Sequence, residues 1–529
     1  MSYHASVYLF VFLPMVLLAY QLTPRRWRWI TLLISSYAFF WSISGELVLY
    51  LIGTTLFTHY IAVWLAWMKE QCRKRLSEQP KDMHAEIKKQ FRKKEKRILF
   101  FGVTGLLLVL VYLKYYNFFV ENINGMFGIP QEIAVLQVHT WAIPIGISFY
   151  TLQAIGYMAD VYWEKVEVHN HPGKLALFLG FFPQIMEGPL SMYAQTADAL
   201  WKGDPLTAED LSKGSVRVLW GLFKKMIIAN RLHVLVKAIF EHHADYQGIM
   251  IVLAAVAYTV QLYMEFSGCM DIIIGSGKMF HVTLPENFRQ PFASKNAAEF
   301  WRRWHITLGV WFKTYIFYPV SVSPFVKKCN KYAKANFGKY AARLVVSACC
   351  LLPVWLCNGL WHGASWNYIF YGIYYFVILM AEIALEPAVD FWTQRCRIDR
   401  EAAYYKTLQI LKTWVIIVTG ELFFRADSLL TGLQMFFSIF RSSALPKPGE
   451  GVLHALGLDR ADCFVIIAAC MVVMVVESIK ETKGSEALEP GRLRRPVRWA
   501  VYYALIFSII IFGAYGAGYQ QVDMIYAGF

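Results

Sequence analysis

Val103-Thr104-Gly105-Leu106-Leu107-Leu108-Val109-Leu110-Val111-Tyr112-Leu113 carries no charge, and Ile466-Ile467-Ala468-Ala469-Cys470-Met471-Val472-Val473-Met474-Val475-Val476 repeats that character near the other end. Each run extends into an apolar span near the ~20 residues that cross a bilayer as a helix. Around them the 529-residue chain is 57% hydrophobic and 17% charged, whereas a soluble globular chain carries about 25% charge. Length alone would allow several soluble domains; composition excludes them. The expected fold class is all-α, a polytopic transmembrane helical protein with about eleven spans plus shorter re-entrant and interfacial helices. It reads as a single membrane domain over 1–529, with N-terminal spans in 1–120, a core in 140–385, and C-terminal spans and a tail in 408–529.

The 52 Lys and Arg outnumber the 37 Asp and Glu, giving a net charge of +15. That excess sits in short loops between apolar runs, where it sets orientation, and no nucleic-acid-binding motif accompanies it. Nucleic acid is therefore not an expected partner. The nine cysteines form no C-x-x-C pair, and several lie inside apolar runs, so they read as small buried hydrophobes. The adjacent His242 and His243 lack further ligands nearby and read as loop residues; no metal site is expected.

Val7–Tyr20 is apolar, with no basic residue before it and no small-residue cleavage site, so it reads as a retained first span rather than a secretory signal. Arg25, Arg26 and Arg28 follow it and place that loop in the cytoplasm, with the N-terminus outside. Spans at Ile30–Trp41 and Leu47–Trp67 bring the chain back to Lys69–Arg97, which holds twelve Lys/Arg against five Asp/Glu. Further spans are expected near Ile98–Val120, Thr140–Met158, Ile249–Phe266, Leu344–Leu360, Tyr368–Leu385, Leu408–Phe424, Phe464–Val476 and Trp499–Ala514. By parity the C-terminus lies outside.

The middle third is less regular. Ala176–Leu190 is broken by Pro183, Gly188 and Pro189 and reads as a re-entrant element. Ser215–Phe240, with Lys224, Lys225, Arg231 and Lys237, reads as an amphipathic helix near the interface. Phe300–Val320 is too polar to face lipid and reads as one helix lining a cavity or lying at the interface. Lys327 through Arg343 reads as a third basic cytoplasmic loop.

Ionisable side chains at membrane depth are expensive and mark functional sites by default. Asn358-Gly359-Leu360-Trp361-His362-Gly363-Ala364 places a histidine between glycines at a break between apolar runs. Glycine permits close backbone approach there, and an imidazole with an ordinary pKa of about 6.5 can take a proton from a hydroxyl. A packing or capping histidine accounts for the pattern at least as well. The second cluster is Pro285-Glu286-Asn287-Phe288 followed by Phe300-Trp301-Arg302-Arg303-Trp304-His305. Its arginines and aromatics suit an anionic, partly apolar ligand, and equally suit an interfacial anchor belt.

In this order, PENF, FWRRWHITL and GLWHGASW resemble the membrane-bound O-acyltransferases, in particular their alginate O-acetyltransferase-like branch. Ile143-Pro144-Ile145-Gly146-Ile147-Ser148-Phe149-Tyr150, Phe181-Phe182-Pro183-Gln184 with Gly188-Pro189, and Phe423-Phe424-Arg425-Ala426-Asp427 are similar to further elements of that branch. The family carries two polar positions, an Asn or His and then a His, which correspond to His305 and His362. The resemblance implies that 140–385 is the catalytic core and that an acyl group passes from a cytoplasmic thioester, acetyl-CoA, to a hydroxyl beyond the membrane. Acetyl-CoA is then a substrate, and no permanently bound cofactor is expected. His362 is implied as general base or proton shuttle, with His305 nearer the cytoplasmic thioester entrance; parity puts the Trp361–Asn367 turn toward the far side, so the two histidines are expected at opposite ends of one tunnel.

Trp301, Arg302, Arg303, Trp304, Asn358 and Trp361 become donor-binding or tunnel residues on this resemblance, with Arg302, Arg303, Lys224 and Lys225 as candidates for CoA phosphates or for cytoplasmic-face anchors. The ending Ile525-Tyr526-x-x-Phe529 is similar to a terminal motif of the branch, which implies that Tyr526 is an acyl relay. The implied partners are membrane lipid, an extracytoplasmic SGNH/GDSL-like acyltransferase or esterase-like protein, and a cell-envelope polysaccharide as acceptor. The implied location is the bacterial plasma membrane. After Phe317-Tyr318-Pro319 the chain departs from the branch with Val320-Ser321-Val322-Ser323-Pro324, and Cys269 and Met270 stand where polar residues are common. Those departures point away from alginate itself. The rival readings are D-alanyl transfer to teichoic acid from a carrier-protein thioester, and a secondary transporter.

Overall fold

A computed structural model describes residues 2–128, 137–139, 142–169, 171–441, 456–484, 491 and 494–515. Their regular structure is helical throughout, with no strand among the described residues. Eight helical segments are long and apolar enough to cross a membrane: Arg25–Glu78, Lys81–Phe127, Ile249–Met279, Pro324–His362, Trp366–Arg395, Ala403–Arg425, Arg460–Lys483 and Arg495–Phe512. The chain is a membrane-embedded, multi-pass protein.

The expected spans fall on helices with one exception, Thr140–Met158, and the lengths redistribute the count. Ile30–Trp41 and Leu47–Trp67 share one segment, because the chain turns at Gly45 with φ +54° and continues helically. The first span is the shorter apolar helix Val7–Leu22. Thr140–Met158 is replaced by Ile147–Tyr162, a 16-residue helix whose residues from Phe149 to Val161 are all buried. It packs against Val48–Glu78 and His84–Phe127, so protein and not lipid surrounds it.

The chain forms two compact units. The first is built from Met1–Ser215 and Ile273–Pro285. Here the expected re-entrant element is a helix, Gly173–Gly180, followed by irregular, fully buried chain to Leu190. Non-helical backbone at that depth needs partners from the protein, and finds them. Tyr3 Oη donates to the Phe182 carbonyl at 2.8 Å, Phe182 N–H donates to Ser36 Oγ at 3.1 Å, and Gln184 Nε2 donates to the Phe178 carbonyl at 2.9 Å.

The second unit is built from Val216–Ile272 and Glu286–Asp523. Ser215–Phe240 is not an interfacial helix. Lys224–Ala229 is a π-helical stretch, and Lys224, Lys225 and Arg231 point into the protein. Lys224 pairs with Asp271 at 2.6 Å, Lys225 with Glu265 at 2.8 Å, and Arg231 with Asp462 at 2.9 Å. The acids arrive on neighbouring helices, which the local sequence could not announce. The expected basic loop is also helical: Pro324–His362 runs through Lys327–Arg343 and breaks its direction at Gly338, φ +84°. Glycine is the residue that takes this left-handed conformation without steric cost.

Candidate functional site

Within the second unit, Phe300–Val320 is not one helix but several short pieces: Ala297–Arg303, Ile306–Phe312, Lys313–Phe317 and Tyr318–Ser321. The break after the first falls on His305, which has φ +46°. A non-glycine residue in that region is uncommon and is held there by its surroundings. Asn287 of the PENF motif does the holding. Its carbonyl accepts from Ile306 N–H at 2.9 Å. Its Oδ1 accepts from Thr307 N–H at 3.1 Å and Thr307 Oγ1 at 2.9 Å, and lies 3.2 Å from His305 Nδ1.

An amide oxygen has no proton to give, so Nδ1–H of His305 is the donor and Nε2 is its basic nitrogen. The ring is 4% exposed and meets Phe266 edge-on at 4.9 Å between centroids. Residue 305 lies outside the eight spanning segments. Burial lowers its imidazolium to about 3, so the ring is neutral near pH 7.

His362 ends the helix Pro324–His362, and Gly363 to Ser365 turn the chain into Trp366–Arg395. The two helices touch backbone to backbone. A Cβ on Gly359 would lie 2.3 Å from the Tyr368 carbonyl oxygen, and one on Gly372 would lie 2.3 Å from that of Trp355. This close crossing seats His362, 6% exposed, against Phe424 at 4.9 Å and Tyr371 at 5.8 Å between ring centroids. Asn358 sits one helical turn earlier, buried, and its Oδ1 has no hydrogen-bond partner among the described residues.

Both histidine rings, expected at opposite ends of a tunnel, meet the same tryptophan. The Trp361 ring lies 5.5 Å from that of His305 and 4.9 Å from that of His362. Trp301 joins the same aromatic wall through Trp355 at 4.9 Å and Tyr371 at 6.2 Å. Trp304 faces other rings, those of Phe300, Phe288 and Tyr263.

The expected phosphate-binding cations also divide. Lys224 and Lys225 are neutralised inside the protein, and Arg303 is held by Glu299 at 3.0 Å and Glu481 at 3.2 Å. Arg302 is exposed and has no ion pair among the described residues. Tyr526 lies outside the described residues. Sequence reasoning gave no role to Asn287, Tyr371 or Glu421. Glu421 carried a signal all the same, being an acid inside the apolar run Leu408–Phe424.

Together these groups make a buried, aromatic-walled site with one imidazole of defined tautomer and a second on the same tryptophan, an arrangement suited to moving a proton. Comparison with known proteins identifies the family. The sequence pattern of the membrane-bound O-acyltransferase family matches residues 181–424, which include both histidines. A probable alginate O-acetylase, AlgI, of Pseudomonas putida is 30% identical over 443 residues, covering 83% of this chain and 80% of that protein. A peptidoglycan O-acetyltransferase of Helicobacter pylori is 26% identical, covering 82% of this chain and 78% of its own. A teichoic acid D-alanyltransferase of Bacillus subtilis is 26% identical over 44% of this chain and 58% of its own. The chain is therefore a member of the membrane-bound O-acyltransferase family, an acyltransferase embedded in the membrane with relatives that O-acetylate polysaccharides.

Proposed function

We propose that this enzyme moves an acetyl group from cytoplasmic acetyl-CoA to hydroxyls of an extracytoplasmic cell-envelope polysaccharide, with His362 as the general base. The observation that carries this reading is the burial of His362 and His305 against one shared tryptophan, inside the segment that matches the family. His362 takes the proton of an attacking hydroxyl. The oxygen bonds to the thioester carbonyl carbon, the C–S bond breaks, and the departing thiolate takes the proton back from His362. His305, neutral and fixed by Asn287, presents Nε2 beside this path. Access requires the aromatic side chains around the imidazoles to part.

CoA is too large and too charged to cross hydrocarbon, so a route through the protein lets only the small neutral acyl group change sides. Exposed Arg302 serves on this reading as a phosphate contact, Trp301 and Asn358 as contacts for the thioester arm. With both termini outside, Tyr526 can carry the acetyl group to a secreted or anchored esterase-like partner that completes the transfer. Acetyl transfer is favoured over D-alanyl transfer because the O-acetylating relatives align over 83% and 82% of the chain, against 44% for the D-alanyltransferase.

The test uses membrane vesicles from cells producing the protein, supplied with radiolabelled acetyl-CoA. Alkali-labile acetate should appear on vesicle glycan with release of free CoA, and His362→Ala should abolish both. Retained transfer in His362→Ala ends the assignment of the base. Label from a D-alanyl carrier protein but not from acetyl-CoA ends the assignment of the donor.

A further inference from the structure

Glu421 is the buried acid that this chemistry leaves unused. It lies on the helix Ala403–Arg425 and is 1% exposed. Its Oε1 accepts a hydrogen bond from Tyr371 Oη at 3.1 Å. Its Oε2 has no hydrogen-bond partner, and no ion pair reaches the carboxyl, among the described residues. A carboxyl in such a place is costly unless it is paired. An apolar residue of similar volume would fill the position at less expense to stability, so packing does not account for an acid here.

What surrounds Glu421 suggests its purpose. Tyr371, its hydrogen-bond donor, stands on the helix that follows His362, with its ring at 84° to the imidazole and 5.8 Å away. Phe424, one turn after Glu421, touches both rings, at 4.9 Å from His362 and 5.0 Å from Tyr371. The carboxyl is therefore tied by one hydrogen bond to the side chain that walls His362.

We propose that Glu421 is a positioning residue for His362, acting through Tyr371. The inference rests on His362 being the general base. When the hydroxyl proton moves to His362, a cation forms in a dry aromatic setting that offers it little solvation. The Tyr371 hydroxyl, held by Glu421, fixes the ring against which His362 packs, so the imidazole keeps its orientation as that charge appears. The proton then passes from His362 to the thiolate, so neither Glu421 nor Tyr371 gains or loses a proton over the cycle.

The experiment compares wild type, Glu421→Leu, Tyr371→Phe and the double variant in the same vesicles, with His362→Ala as reference. Glu421→Leu removes the acceptor of the Tyr371 hydroxyl; it should lower kcat about 100-fold, the scale set by a small misplacement of a reacting group, and leave KM for acetyl-CoA unchanged. Tyr371→Phe keeps the ring and loses only the hydroxyl, and it should show a similar loss. The double variant should be no slower than the slower single, since both act along one path. Wild-type kcat in Glu421→Leu or in Tyr371→Phe overturns the proposal, as do losses that multiply in the double variant. If Glu421→Leu does not accumulate in the membrane, Tyr371→Phe decides alone. Full transfer in His362→Ala instead brings down the reading of the base itself, whatever Glu421 does, so the two failures are told apart.

Discussion

Asn287 spends its side chain on a single neighbourhood: its Oδ1 takes hydrogen bonds from Thr307 and His305, and its Nδ2 donates to Met270 Sδ at 3.3 Å. Asn287→Leu keeps the volume and removes the acceptor, freeing both the His305 tautomer and the left-handed turn. Acetyl transfer should fall about 100-fold, the scale set by small misplacements of a reacting group, while the protein still accumulates in the membrane. Transfer at the wild-type rate would mean that the clamp is not needed. The buried imidazole also sets a pH dependence of stability. Its folded pKa, about 3, lies below the ordinary value, so the unfolded chain binds the proton first as pH falls. Stability is thus fully present above about pH 6.5 and declines toward pH 3. Thermal unfolding at about pH 7 and about pH 5 should show a loss on acidification. In His305→Asn that loss should be smaller; an equal loss in both proteins would place its origin elsewhere.

At the scale of elements, two contacts hold the site's helices in place. The hairpin of Pro324–His362 and Trp366–Arg395 depends on Gly359, whose missing side chain leaves room for a carbonyl oxygen. Gly359→Ala forces that oxygen away and should destabilise by about 1–3 kcal/mol, the usual cost of overpacking. Thermal unfolding in detergent would measure it, and an unchanged midpoint would show that the hairpin yields freely. The second contact joins the helical run around Lys224–Ala229 to Ile249–Met279 through Lys225, 2% exposed, and Glu265. Lys225→Ala should cost about 3–5 kcal/mol, because it strands a buried carboxylate, whereas Lys225→Met with Glu265→Leu should recover most of the loss. A double variant as unstable as the single would point to packing, not charge, at this position.

Over the whole molecule, the distribution of basic residues predicts which ends of the helices face the cytoplasm. Cysteines introduced at Lys81 and Lys331, in a background cleared of the native thiols, should both react with a membrane-impermeant thiol reagent only in inside-out vesicles. Labelling of either from the cell exterior would reverse the orientation and, with it, the side from which the proposed acyl donor enters.

Much of this architecture was legible because its causes are local. Apolar runs long enough to span, bounded by basic stretches, must become membrane helices in either direction of reading, and the spans inferred that way, Thr140–Met158 apart, lie on helices. The glycines of GLWHGASW announced a close approach, and Gly359 makes it. The reading failed where a residue's partner is distant in sequence. Lys224 and Lys225 had the spacing of an interfacial helix, yet Asp271 and Glu265 draw them inward. Phe300–Val320 had helical character throughout, yet Asn287 holds His305 in a turn that breaks it.

The amino-acid order by itself determined a helical membrane protein of acyltransferase type, and it singled out both histidines as candidates, because hydropathy and short motifs act along the chain. Only tertiary packing decided that His305 and His362 share one tryptophan, that three of the four expected phosphate-binding cations are already neutralised, and that Glu421 reaches Tyr371. Those outcomes turn on which helix faces meet, and the desolvation that makes a buried charge seek its partner exists only once they have met.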